Sequence, residues 1–135
     1  MAGLKGDVIS LNDIENGTLR ADFSEPRIHF ALVCASLGCP ALSKEPYRAA
    51  DLNRQLDEQS KLFFRDKIKN RFYAATSTLY LSPIFKWFKA DFEAAAGSVA
   101  AYVARYLNDP NLKKPGVKIK YTKYDWSLND LEIAP

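Results

Sequence analysis

Histidine is nearly missing from this sequence: His29 is the single one in 135 residues. Cysteine occurs twice, as Cys34 and Cys39. These scarcities bound the chemistry. Any Cys–His nucleophilic pair must use His29, and its sulfur and imidazole must lie within hydrogen-bond reach. A zinc site would find three such ligands in all. The CxxxxC spacing is not the usual close one, and no second cluster completes four. No metal and no cofactor are expected. A membrane-spanning apolar run is also missing, and Met1–Asp7 (MAGLKGD) lacks the apolar core of a signal peptide. A cytoplasmic chain is the expectation. There is no internal repeat, low-complexity tract or long linker, so residues 1–135 read as one domain. The net charge of +3 is mild and does not by itself imply a nucleic-acid partner. What is present is ordinary for a globular chain: 47% of residues are hydrophobic, and the 13% that are aromatic argue against disorder.

The organising stretch is Arg27–Pro40, RIHFALVCASLGCP. It holds the histidine, both cysteines and an apolar run that ends in small residues. Ile28–Val33 reads as a strand, with Ile28, Phe30 and Leu32 on one face and His29, Ala31 and Val33 on the other. Both faces are largely apolar, as in a strand buried on two sides. Pro26 stands just before it, where a missing N–H costs little. A tight loop follows. Cys34, Ala35, Ser36, Gly38 and Cys39 are small, and Pro40 stiffens the exit. Such a loop either presents a nucleophile and backbone N–H groups to a ligand or lets another element pack closely.

The pattern His29, Phe30, Ala31, Leu32, Cys34, Ser36, Gly38, Cys39, Pro40 resembles the signature of the domain of unknown function family 547, found in bacteria and plants. Supporting pieces are Ser10–Arg20 (SLNDIENGTLR), Leu81–Phe92 (LSPIFKWFKADF) and Tyr121–Asn129 (YTKYDWSLN). The resemblance brings no established activity and no catalytic roles. Longer members carry a helical segment before this region. The resemblance therefore implies a chain shortened at its N-terminus, with apolar surface that must be covered. A symmetric homodimer is the simplest cover.

The remaining segments give an α+β expectation: a small, mainly antiparallel sheet of three to five strands, with helices packed on at least one face. Ser10 opens a short helix, with Asp13 in a capping-box position and Asn16-Gly17 as its stop. Ala49–Lys67 has helical spacing of Leu52, Leu56, Phe63 and Phe64. Arg71–Leu81 reads as a hairpin turning at Ala75–Ser77. Ser82-Pro83 starts a helix with Ile84, Phe85, Phe88 and Phe92 along one side, and Gly97-Ser98 starts another that Pro110 ends. Val117–Tyr121 alternates apolar residues with Lys118 and Lys120, as an edge strand does. Trp126 is expected to anchor the C-terminal turn.

Several chemistries compete for the central loop. On an extended chain His29 and Cys34 would be roughly 16 Å apart and point to opposite faces, which disfavours a dyad. His29 is better read as a buried histidine bonded to a carboxylate or carbonyl. A Cys34–Cys39 disulfide is sterically allowed and suits an oxidising compartment, whereas a cytoplasmic protein should hold two thiols. Cys34 can act alone where N–H groups or a helix N-terminus lower its pKa. The leading reading is a non-catalytic dimerisation and ligand- or protein-binding module, with His29, Cys34, Ser36 and Gly38 at the ligand. The alternative is a thiol-dependent hydrolase or transferase using Cys34, with His29, Cys39 and Ser36 as further catalytic candidates. A second alternative is weak single-stranded nucleic-acid binding along the lysine-rich edge from Lys113 to Lys123, where Tyr121 and Tyr124 interleave.

Overall fold

The hairpin at Arg71–Leu81 forms the centre of the sheet. In the computed structural model, which describes residues 8–130, β1 (Arg71–Tyr73) and β2 (Thr78–Leu81) pair antiparallel. A 3-10 turn, Ala74–Thr76, joins them, and Ser77 takes a left-handed conformation (φ 48°) to close it. The strand β3 (Lys118–Tyr121) adds to β2 in parallel, so the order is β1-β2-β3. The class is α+β, and the small sheet is mixed, with one antiparallel and one parallel pairing. Lys118 and Lys120 are exposed on the edge strand while Val117 and Ile119 are half-buried, as the alternation requires.

Helices share one buried cluster with this sheet. A π-helical stretch, Asp13–Leu19, leads into α1 (Arg20–Asp22), followed by α2 (Ile28–Ala31), α3 (Leu52–Arg65), α4 (Ile84–Trp87), α5 (Lys89–Ala96) and α6 (Val99–Val103). Three expected caps form. Ser10 and Asp13 bond reciprocally, with Ser10 N–H donating to Asp13 Oδ2 at 2.8 Å and Asp13 N–H to Ser10 Oγ at 3.2 Å. Ile84 N–H donates to Ser82 Oγ at 3.3 Å, and Ala101 N–H to Ser98 Oγ at 3.1 Å. Gly97, at φ 79°, ends α5. Asn16-Gly17 does not stop the first helix. The turn widens around it instead, and Arg20 N–H reaches the carbonyl of Glu15, five residues back.

The central stretch is the main correction. Ile28–Ala31 is a helical turn, not a strand, and only Leu32 and the residues after it are extended or looped. Pro26 is the reason. Its fixed φ suits the first turn of a helix, and its carbonyl accepts the His29 N–H at 3.2 Å. The alternating faces are therefore lost, and neighbouring His29 and Phe30 are both buried.

Phe30 becomes the hub of the core. Its ring stacks on Phe63 at 4.8 Å and meets Phe64, Phe85 and Phe92 within 5.8 Å. Leu79, Leu81, Val99, Tyr102 and Val103 complete the same buried cluster. Asn70, fully buried, ties α3 to the sheet: its Nδ2 donates to the Phe63 carbonyl at 3.0 Å, and its Oδ1 accepts the Ser82 N–H at 3.1 Å. Among the described residues no helix is long and apolar enough to cross a membrane. Met1–Asp7, expected to lack a leader core, lie outside the described residues.

Candidate functional site

The residues singled out in Arg27–Pro40 separate into two clusters. His29 belongs to the first, which is internal. Only 3% of His29 is exposed, and its Nε2 lies 2.7 Å from Asp91 Oδ2 on α5. Asp91 is also held by Arg20, whose Nε and Nη2 donate to its two oxygens at 2.8 and 3.0 Å. The His29 ring stacks on Phe88 at 3.8 Å, and the Arg20 guanidinium lies 4.9 Å from the same ring centre. Burial pushes the imidazole pKa below its ordinary value, although Asp91 pulls the other way. Burial wins because the carboxylate is already committed to Arg20, whose charge also opposes protonation. The Arg20 hydrogen bond, ahead of the one from His29, holds the Asp91 carboxyl below its usual range. A neutral His29 donates from Nε2–H to Asp91, which leaves Nδ1 buried without a partner. This bears out the sequence reading of a buried histidine on a carboxylate.

The second cluster lies at the surface. Cys34 and Cys39 are joined as a disulfide with a Cα–Cα separation of 6.0 Å, so the two thiols expected of a cytoplasmic chain are not free here. Cys34 is exposed, Cys39 half-buried and Ser36 buried. Around the bridge, Cys34 N–H donates to Cys39 Sγ at 2.9 Å, Ser36 Oγ lies 3.1 Å from Cys34 Sγ, and Tyr124 Oη lies 3.1 Å from Ser36 Oγ and 3.4 Å from Cys39 Sγ. Gly38 permits this: a Cβ on it would stand 2.8 Å from the Tyr124 ring and 2.9 Å from the Asp125 carbonyl.

The C-terminal segment docks on the loop through the backbone. Leu37 N–H donates to the Ser127 carbonyl, Gly38 N–H to Asp125, and Asn129 N–H to Ala35, at 2.7 to 3.0 Å. Ser36 and Leu128 form an isolated antiparallel bridge. Trp126 contributes less to this anchoring than expected, since 70% of it is exposed. It packs instead on Tyr124 and Trp87, with ring centres 4.5 and 5.7 Å away. Trp87, itself 47% exposed, completes an aromatic surface beside the bridge.

Asp91, Arg20 and Trp87 were not among the candidate residues, and Tyr124 was named only with the lysine-rich edge. Each lies in a segment already quoted for the resemblance, and a lone apolar-flanked histidine signals that a carboxylate must be sought elsewhere in the chain. A hollow of about 880 Å³ lies away from both clusters. Val99, Leu112, Val117 and Ile119 line it, together with Lys113 and Lys114 of the expected basic edge.

Residues 2–64 match the family described as "Protein of unknown function, DUF547". The resemblance read from the central motif is thus shown over the part of the chain that carries Arg20, His29 and the Cys34–Cys39 loop. No curated protein and no solved structure matches the chain.

Proposed function

We propose that this chain, whose residues 2–64 match a family of unknown function, is one α+β domain that works as a binding and homodimerisation module. Its docking face is Trp87, Tyr124 and Trp126. One observation carries this reading: both tryptophans of the chain stand at one surface, 47% and 70% exposed, with their rings packed on each other and on Tyr124. Exposed tryptophan pairs are costly in water and common at the centre of interfaces. Leu37 and Leu128, exposed on the adjoining loop and C-terminal segment, extend the apolar character of the face. The face is also held rigid by the bridge and by Gly38 against Tyr124, which lowers the ordering cost of binding. A second copy is the occupant that supplies the same aromatic surface in return, as an isologous contact needs. A cytoplasmic location belongs to the same proposal.

The thiol-dependent hydrolase or transferase has less support. Cys34 must first be released from the bridge, and the chain's one histidine is turned to Asp91 inside the protein. Nucleic-acid binding along the lysine edge rests on Lys118, Lys120 and the exposed Tyr121, which Lys86 approaches at 6.0 Å. It lacks a second exposed ring on the strand for a neighbouring base.

The test is sedimentation velocity across micromolar concentrations, with tryptophan emission followed on dilution. A dimer whose dissociation shifts the emission to the red, and which Trp126→Ser abolishes, supports the reading. A monomer throughout, with constant emission, overturns the dimer. Binding of a non-self protein by that monomer would leave the binding module and remove self-association.

A further inference from the structure

We propose that the Cys34–Cys39 disulfide is an exchange-active centre that oxidises an external dithiol, with Cys34 the sulfur attacked and Cys39 the sulfur that leaves. The two sulfurs are not equivalent. Cys34 is exposed and open to an incoming thiolate, whereas Cys39 is half-buried. The hydrogen-bond donors favour the buried one. Cys34 N–H points at Cys39 Sγ at 2.9 Å, and Tyr124 Oη lies 3.4 Å from the same atom. Ser36 Oγ stands 3.1 Å from both Tyr124 Oη and Cys34 Sγ, and with its proton turned toward Tyr124 the phenol proton is left for Cys39. Donors at a sulfur stabilise its thiolate, and a stabilised thiolate leaves faster.

The step balances within the two reactants. A thiolate of the external dithiol attacks Cys34 Sγ and forms a mixed disulfide. The Cys34–Cys39 bond breaks, and its electron pair goes to Cys39 as thiolate. The second thiol of the dithiol, after losing its proton, attacks its own partner sulfur and releases Cys34 as thiolate. The dithiol has become a disulfide, its two electrons now reside on the sulfurs of Cys34 and Cys39, and the two protons it lost pass through solvent to whichever of these thiolates is protonated at the working pH.

The scaffold makes the cycle reversible. After reduction the loop stays pinned at Leu37–Ser127, Gly38–Asp125 and Asn129–Ala35, contacts that do not involve sulfur. The two cysteines, with Cα atoms 6.0 Å apart, therefore remain within closing distance. A bridge that exchanges is also the kind found in a reducing cytoplasm, where purely structural disulfides are rare.

The experiment incubates the full chain with dithiothreitol and with glutathione redox buffers at pH 7, below the concentrations at which it associates. Thiols are trapped by alkylation and assigned by peptide mass. The expected result is reduction of the native, folded protein. In the wild type, brief exposure to reduced glutathione followed by an acid quench should place the mixed disulfide on Cys34 about ten times as often as on Cys39. Tyr124→Phe, which keeps the ring against Gly38, should slow reduction about three- to tenfold. A bridge that resists reduction until denaturant unfolds the chain would overturn the proposal. Equal amounts of mixed disulfide on the two cysteines, or a Tyr124→Phe rate equal to that of the wild type, would remove the assigned roles. None of these readouts depends on dimer formation.

Discussion

Gly38 lies against the ring of Tyr124 so closely that a Cβ would stand 2.8 Å from its Cε1 and Cζ, with the Asp125 carbonyl at 2.9 Å on the other side. The contact explains a glycine in the loop motif without any ligand. Gly38→Ala must push the ring or the backbone away, and overpacking of this kind costs about 1–3 kcal/mol. Gly17, in the helical stretch with open space around its Cα, is the control. There an alanine should be neutral or stabilising by about 0.5–1 kcal/mol. Denaturant unfolding of both variants checks the pair, and a neutral Gly38→Ala would show that the Tyr124 contact yields freely.

His29 gives a pH prediction with a definite sign. Its folded pKa lies below the unfolded value of 6.5 because burial outweighs Asp91. As pH falls below about 6.5 the unfolded chain gains a proton that the folded chain refuses, so stability declines. Asp91, also lowered, keeps its contribution until pH falls below its unfolded value of 3.8. Unfolding free energy should therefore fall from pH 7 toward pH 5, and His29→Gln should remove that slope. An NMR titration of the ring offers a direct reading. A midpoint above 6.5 would mean that the carboxylate, not burial, decides.

Arg20 should control the same midpoint from a distance. It takes both oxygens of Asp91 and thereby limits what the carboxylate offers His29. Arg20→Met frees that charge, so the His29 midpoint should rise. Stability should fall by about 1 kcal/mol, since the pair is partly exposed. An unchanged midpoint would separate the two contacts of Asp91.

Much of the fold is legible in the sequence wherever local chemistry acts alone. The Ser10–Asp13 box, the Ser98 cap, the Arg71–Leu81 hairpin and the lysine-edged β3 follow from nearest neighbours. Ile28–Val33 does not, because so short a continuous apolar run has no period to distinguish strand from helix. Pro26 carried the missing information as a helix-starting residue. The site is less legible because its partners come from far along the chain. Asp91 is 62 residues from His29 and 71 from Arg20, and Tyr124 is 88 from Ser36. Motif spacing identifies one side of each contact, and only the packing of α5 and the C-terminal segment supplies the other.

Asn70 tests whether the hairpin depends on α3. Its amide bridges the Phe63 carbonyl and the Ser82 N–H in a site closed to water. Asn70→Ala leaves both groups unsatisfied, a loss of about 2–4 kcal/mol. The measurement is chemical denaturation. A cost under about 1 kcal/mol would mean that the freed groups find replacements.

The last prediction separates the bridge from the packing around it. Removing the disulfide with Cys34→Ser and Cys39→Ser together opens a loop of very few residues, and closure entropy for so short a loop is worth about 2 kcal/mol. The face beside it should nevertheless persist, because Leu37, Gly38 and Asn129 hold the C-terminal segment through backbone bonds. Trp126, whose ring rests on Tyr124 and Trp87, reports on that face. The double variant should thus lose about 2 kcal/mol in denaturation while its native tryptophan emission stays in place. Gly38→Ala should do the reverse and shift the emission, since it displaces Tyr124 directly. If the double variant shifts the emission as far as Gly38→Ala does, the bridge is what orders the surface, and the backbone contacts only follow it.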